Sequence, residues 1–256
     1  MNFGVQTFTV RKKKKKDIKA AYLPLIQLGV REFEVARIDF TPENAEILKQ
    51  MIEEYGISVA SIQVKPKYVF GDFENVVAFC HATGCKNVVI SMLPFKCILG
   101  SEKQFYDFLH TLDPQFERYA KEGITLAYHH HNWEYIKLSS GKRRMEELLS
   151  KTEKIQFVHD TYWTAKSGIS PAAQIKAFGE RLLGVHLRDL TLKKKRGIGV
   201  VSTDAAIGEG VIDFASVLQA AQEVGCRYYV IEQKTDTPYE DIKKSFFALS
   251  NIQIQG

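Results

Sequence analysis

His129 and His131 stand two residues apart in a short apolar run, and Asp160, His186 and Glu232 each end a run rich in β-branched or aromatic residues. Imidazole nitrogens and carboxylate oxygens are ligands for divalent metals. Two of each, brought together, would hold one ion and leave a position open for substrate. The candidate ligands are His129 or His131 together with Asp160, His186 and Glu232. That donor set suits Mn, Zn, Fe or Co, with Mg and Ca less favoured. Alternate side chains of a strand share a face, so His129 and His131 converge while His130 points away, and the three do not form one chelating tract. Each of these residues alone would read as a satisfied polar group at a strand end. Buried together, they would be costly unless paired or bound to metal.

The elements that must position them follow from a repeat. QLGVREFEV at Gly29, EYGISVASI at Gly56, ATGCKNVVI at Gly84, KEGITLAYH at Gly123 and EVGCRYYVI at Gly225 each set Gly after a polar helical stretch and before an apolar run. Glycine there suits the left-handed residue that ends a helix, and the run suits a strand buried on both faces of a parallel sheet. Thr41-Pro42, Ser170-Pro171 and Thr237-Pro238 read as helix starts, and Thr237 with Glu240, like Ser101 with Gln104, as capping boxes. Strands are predicted near 3–9, 32–36, 58–63, 87–91, 125–131, 155–159, 183–187 and 228–232, each followed by a helix, with Asp189–Glu209 a long connection before its helix. Eight β/α units in one chain predict a single (β/α)8 TIM barrel over residues 1–256. A doubly wound open sheet is the runner-up, weakened because no GxGxxG follows the first strand.

At the C-terminal strand ends, where barrel chemistry gathers, Gln6, Glu34 and Gln63 join the residues above. Phe8, two beyond Gln6, is expected to share its face and pack in the core, with an apolar wall of the site as the alternative.

The 256 residues suit one such barrel, and their 45% hydrophobic and 25% charged content is that of a globular protein rather than a collagen-like or disordered one. Cys80, Cys85, Cys97 and Cys226 show neither a disulfide framework nor metal-finger spacing, which points to a reducing, cytoplasmic setting. MNFGVQTFTV places its positive charges after the apolar stretch, the reverse of a signal peptide, and no run is apolar enough to span a membrane. The net charge of +5 is local: without Arg11–Lys16 it becomes −1, and without Lys193–Arg196 as well, −5. That argues against a nucleic-acid-coating surface. Both runs are expected on loops at the barrel mouth, solvated, or else forming a cationic rim for an anionic substrate.

FGVQTFTVR at 3–11, GITLAYHHHNWEY at 123–135, HDTYWTAKSGISP at 159–171, GVHLRD at 184–189, GEGVIDF at 208–214 and YYVIEQ at 228–233 occur in order at the predicted strand ends. In these motifs the chain resembles the xylose isomerase-like sugar phosphate isomerase/epimerase superfamily over nearly all its length. The resemblance implies one metal held by Glu, Asp, His and Glu from strands five to eight. Asp160, His186 and Glu232 fill the last three places, and His129 stands in the first. In ketose 3-epimerases of this superfamily the strand-five and strand-eight glutamates are thought to be two bases on opposite faces of the sugar, so His129 departs from that pattern. YHHHNWEY looks like the branch with a His-rich fifth strand, which includes inosose dehydratase-like and keto-sugar lyase-like members. Gln63 replaces that branch's third-strand His, and Trp163 stands where many relatives have a second His.

The chemistry expected is proton abstraction next to a carbonyl or carbinol of a sugar, with Glu232 or His131 as base. Gln6, Glu34, Gln63, Glu134, Trp163 and Arg188 are the expected substrate-facing residues, a rim ion pair being the plainer reading of Glu134 and Arg188. An isomerase or epimerase comes first, and a lyase or dehydratase of a keto-sugar or inosose second. An apurinic endonuclease-like enzyme and a non-catalytic sugar-binding barrel stand further off.

Overall fold

The computed structural model describes residues 1–14, 17–195, 197 and 199–253. Eight parallel strands close a barrel in the order β1 (Gly4–Gln6), β10 (Tyr228–Ile231), β7 (Leu182–Leu187), β6 (Gln156–Asp160), β5 (Thr125–His129), β4 (Asn87–Ile90), β3 (Ser58–Val64) and β2 (Glu32–Ala36), with β1 paired to β2. The outer helices are α1 (Arg11–Lys14), α2 (Ile18–Gln27), α3 (Pro42–Tyr55), α4 (Pro66–Gly71), α5 (Phe73–Thr83), α6 (Phe95–Leu99), α7 (Glu102–Ala120), α8 (Arg144–Lys151), α9 (Thr161–Lys166), α10 (Pro171–Phe178), α11 (Phe214–Glu223) and α12 (Pro238–Ser250). This is the expected (β/α)8 barrel. No helix among the described residues is long and apolar enough to cross a membrane.

The repeat works as its glycines suggest: Gly56 ends α3 at φ 62° and Gly84 ends α5 at φ 66°, a region that costs other residues about 1 kcal/mol. Thr41 and Ser170 cap α3 and α10, accepting the amides of Asn44 and Ala173, and Gln104 accepts that of Ser101. The Thr237–Glu240 box does not form; the Thr237 hydroxyl is 3.0 Å from Asp241 Oδ2 instead.

Three expectations shift. The first strand stops at Gln6, because Thr9 N–H returns to the Gln6 carbonyl and Phe8 N–H to the Gln6 side chain, turning the chain over the mouth. The fifth stops at His129, and Asn132–Tyr135 form a 3-10 turn. The connection after β7 carries an antiparallel hairpin of β8 (Asp189–Lys195) and β9 (Gly199–Ala205), where no strands were expected. The basic runs therefore lie on α1 and on β8 rather than in loops, with Lys15, Lys16 and Arg196 outside the described residues.

Inside the barrel, Val89, Ala127, Val158, Leu183, Tyr228 and Val230 form an apolar floor separate from the larger core between sheet and helices. Alternation sets His129 above Ala127, Asp160 above Val158 and Glu232 above Val230. Gly184, paired with Tyr228, leaves room for that ring: a Cβ there would lie 2.3–2.6 Å from ring atoms. Gly184→Ala is expected to cost about 1–3 kcal/mol through this collision, measured by urea unfolding.

Candidate metal and substrate site

Four strand ends converge above the floor. One ligand atom from each of His129, Asp160, His186 and Glu232 lies within 4.8 Å of the others, and all four residues are buried. His186 Nδ1 is 2.9 Å from Glu232 Oε2 and 3.9 Å from Asp160 Oδ2, and His129 Nε2 is 3.6 Å from Asp160 Oδ2. His129 Nε2, Asp160 Oδ2 and His186 Nδ1 make no hydrogen bond although buried. They are held by charge alone, with polar atoms of four residues crowded on one buried point, and the arrangement fits a cation that all of them can face. The group can hold a divalent metal.

Further contacts anchor each of the four. His186 Nε2 is 2.7 Å from Glu34 Oε1, and the other Glu34 oxygen accepts the hydroxyls of Ser61 at 2.6 Å and Tyr228 at 2.8 Å. His129 Nδ1 lies 3.3 Å from the Ser91 carbonyl. Asp160 Oδ1 accepts the Trp163 amide at the start of α9, and Gln6 Nε2 reaches Glu232 Oε2 at 3.3 Å. Such contacts fix ring orientation and aim the remaining atom inward.

The charges are interlocked. Burial opposes protonation of His186, but Glu34 and Glu232 outweigh it and raise its pKa to about 10. Burial likewise opposes ionisation of Asp160, yet His129, Arg188 and His186 hold its carboxyl well below the usual range. Glu232 is lowered by His186 and Arg188 against its own burial. Arg188 lies 3.6 Å from Asp160 and 3.5 Å from Glu232, while its Nε donates to Asp204 of β9 at 2.7 Å. His131, half-buried beside Trp133 and Trp163, is driven well below its usual value by burial and then by His129, so it is neutral.

Several expected substrate contacts are engaged elsewhere. Glu34 is fully buried against His186, and Glu134, also fully buried, bonds the Tyr128 hydroxyl and the His131 amide. Neither faces open space, and Glu134 is no rim ion pair. Gln63 Nε2, Trp163 Nε1 and His131 Nδ1 are without partners. His130 points outward, as alternation requires, to His159 at 3.1 Å. Phe8 lies outside the core, half-buried between arginines.

Ser61, Tyr228 and Asp204 were missed. Ser61 and Tyr228 were legible, standing two before Gln63 and four before Glu232 on the same strand faces. Asp204 was not, because the hairpin carrying it was not foreseen. Asp189, the last residue of GVHLRD, accepts the amides of Gly208, Gly210 and Ile212, so two of the sequence markers meet.

A pH dependence follows for the metal-free protein. Because His186 is raised from 6.5 to about 10, its stabilising contribution is full below pH 6.5 and is lost as pH rises through about 10. Unfolding free energy of chelator-treated protein is expected to fall across that window. Glu34→Gln should flatten the fall, and an unchanged slope would contradict the pairing.

The rhizopine catabolism protein MocC of Rhizobium meliloti is 25% identical, covering 77% of this chain and 69% of that protein. An inosose dehydratase of Lacticaseibacillus casei is 22% identical over 77% of this chain and 76% of its own. The fold is shared with a sugar phosphate isomerase/epimerase from Parabacteroides distasonis, at TM-score 0.78 and 18% identity, covering 98% of this chain and 95% of that one. The model of the xylose isomerase-like TIM barrel family matches residues 24–250, and the chain belongs to that family.

Proposed function

We propose that this chain is a metal-dependent enzyme that removes a proton next to a carbonyl or carbinol of a sugar or sugar derivative, as an isomerase or epimerase. The observation that carries the reading is the convergence of four buried donor residues, His129, Asp160, His186 and Glu232, on one point inside the barrel mouth. These four residues would hold the ion, and the mixed N/O set favours Mn, Zn, Fe or Co over Mg. A divalent ion bound there supplies Lewis acidity, which makes a proton beside a bound carbonyl easier to remove.

The remaining work falls to side chains. Glu232 stays ionised, oriented by Gln6 and Arg188, and serves as a base. Neutral His131 offers Nδ1 as the alternative base or proton relay. Gln63 Nε2 and Trp163 Nε1 are free to donate to substrate hydroxyls. Arg188, locked by Asp204, stays charged beside the developing negative charge.

A second reading, dehydration of a keto-sugar or inosose, is favoured by the inosose dehydratases among the relatives. Its first step is the same, followed by loss of a β-hydroxyl. Metal-loaded protein incubated with ketoses and inososes in D2O separates the two: deuterium at carbon without elimination supports isomerisation or epimerisation, and a dehydrated product supports the second reading.

Two variants test the roles. His129→Ala is expected to lose its bound metal by elemental analysis, and full retention would refute the ligand assignment. His131→Asn is expected to keep metal while exchange slows by about 10²–10⁴-fold, and an unchanged rate leaves Glu232 as the base.

A further inference from the structure

The segments that follow β1 and β2 carry a feature that neither the candidate ligand set nor the expected substrate contacts use. Phe8 is flanked by two guanidiniums: Arg11 lies 4.0 Å from its ring centroid and Arg37 lies 5.5 Å from it. The group is built onto the mouth of the barrel. Phe8 N–H is held by the side chain of Gln6, whose other end reaches Glu232. Thr9 Oγ1 accepts the amide of Gln233, next to Glu232. Thr7 Oγ1 accepts the Ala36 amide and donates to the Ala36 carbonyl, so Arg37 leaves β2 at a point pinned to the β1 loop.

Two physical facts make this more than a surface pair. Arg37 has φ 59°, the one non-glycine residue with positive φ among the described residues. A side chain in that conformation costs about 1–2 kcal/mol, and such strain persists where function holds it. At longer range Glu232 and Asp204 attract Arg11, which places it over the barrel mouth, while Arg188 and Arg37 repel it. Among the described residues neither Arg11 nor Arg37 has a carboxylate within ion-pair distance. The neighbouring Lys12, in contrast, is paired with Asp236.

We propose that Arg11 and Arg37, braced on Phe8, bind an anionic oxygen group, carboxylate or phosphate, on the substrate, so that the enzyme acts on an acidic sugar derivative. This rests on the barrel mouth being the substrate site. Planar guanidiniums match both oxyanions in two-pronged fashion, and a ligand charge near the two offsets their mutual repulsion. The specificity then comes from two arginines, one opening α1 and one following β2, and the lysines of the run contribute only a diffuse field.

Isothermal titration of the full chain with D-glucuronate, D-glucose 6-phosphate and D-glucose tests this. At least one anionic sugar is expected to bind about tenfold or more tightly than glucose. The preference should vanish in the Arg11→Gln/Arg37→Gln double variant and survive in Lys12→Gln/Lys13→Gln. The ratio of the two anions distinguishes a carboxylate from a phosphate site. Arg37→Gly should weaken the preference while its thermal midpoint stays level or rises, which a purely structural arginine would not do. Equal binding of the three sugars, no binding of either anion, or a preference retained without the arginines overturns the proposal. An anion preference without deuterium exchange on any ketose would count against the catalytic reading alone. Exchange without an anion preference would count against this inference alone.

Discussion

The structure turns on one imidazole held between two carboxylates inside a barrel. His186 has Glu34 on one nitrogen and Glu232 on the other, with no exposure of its own. Three carboxylates packed into an apolar interior would repel one another and lose hydration, each at a cost of several kcal/mol. The cluster is tolerated because every charge faces an opposite one. His186 and Arg188 supply the positive charge within reach, and the inward atoms left over mark where a cation fits. The apolar floor beneath raises the stakes by keeping the local dielectric low.

Much of the surrounding chain exists to hold that arrangement. Gly184 makes space for the Tyr228 ring, the Tyr228 hydroxyl holds Glu34, and Glu34 orients His186. On the opposite side Asp204 draws Arg188 toward the hairpin, so its guanidinium reaches Asp160 and Glu232 from above. Asp189, at the root of the same hairpin, gathers the amides of the glycine-rich loop. A hairpin inserted after β7 thus closes one wall of the mouth, and the β1 and β2 loops close the other.

The barrel and the inward-facing groups at its mouth were legible because both follow from short-range rules. A glycine at each helix end and an apolar run after it mark each β/α unit, and period-two alternation tells which side chains of a strand turn inward. Those rules placed Asp160, His186, Glu232 and His129 at one end together. They worked less well where the chain leaves regular structure. Strand alternation was carried past Gln6 to Phe8, although the chain turns at Thr7, and Phe8 came out at the rim between two arginines rather than in the core. Glu34 and Glu134 were expected to meet substrate, because a polar residue near a strand end looks the same whether it faces a ligand or a neighbour.

Local pattern therefore established the architecture, the family likeness and the identity of the inward-facing groups, since hydrophobic periodicity and helix-ending glycines act over a few residues. Which inward group supports another, and which stands free, depended on the closed barrel. Glu34 and His186 are far apart in the chain and meet because β2 and β7 face each other across the interior. Arg11 and Arg37 likewise lie against one ring because β1 and β2 are neighbours, with Thr7 after β1 tied to Ala36 at the end of β2. Contacts of that kind are set by the closure of the sheet, and no run of adjacent residues encodes them.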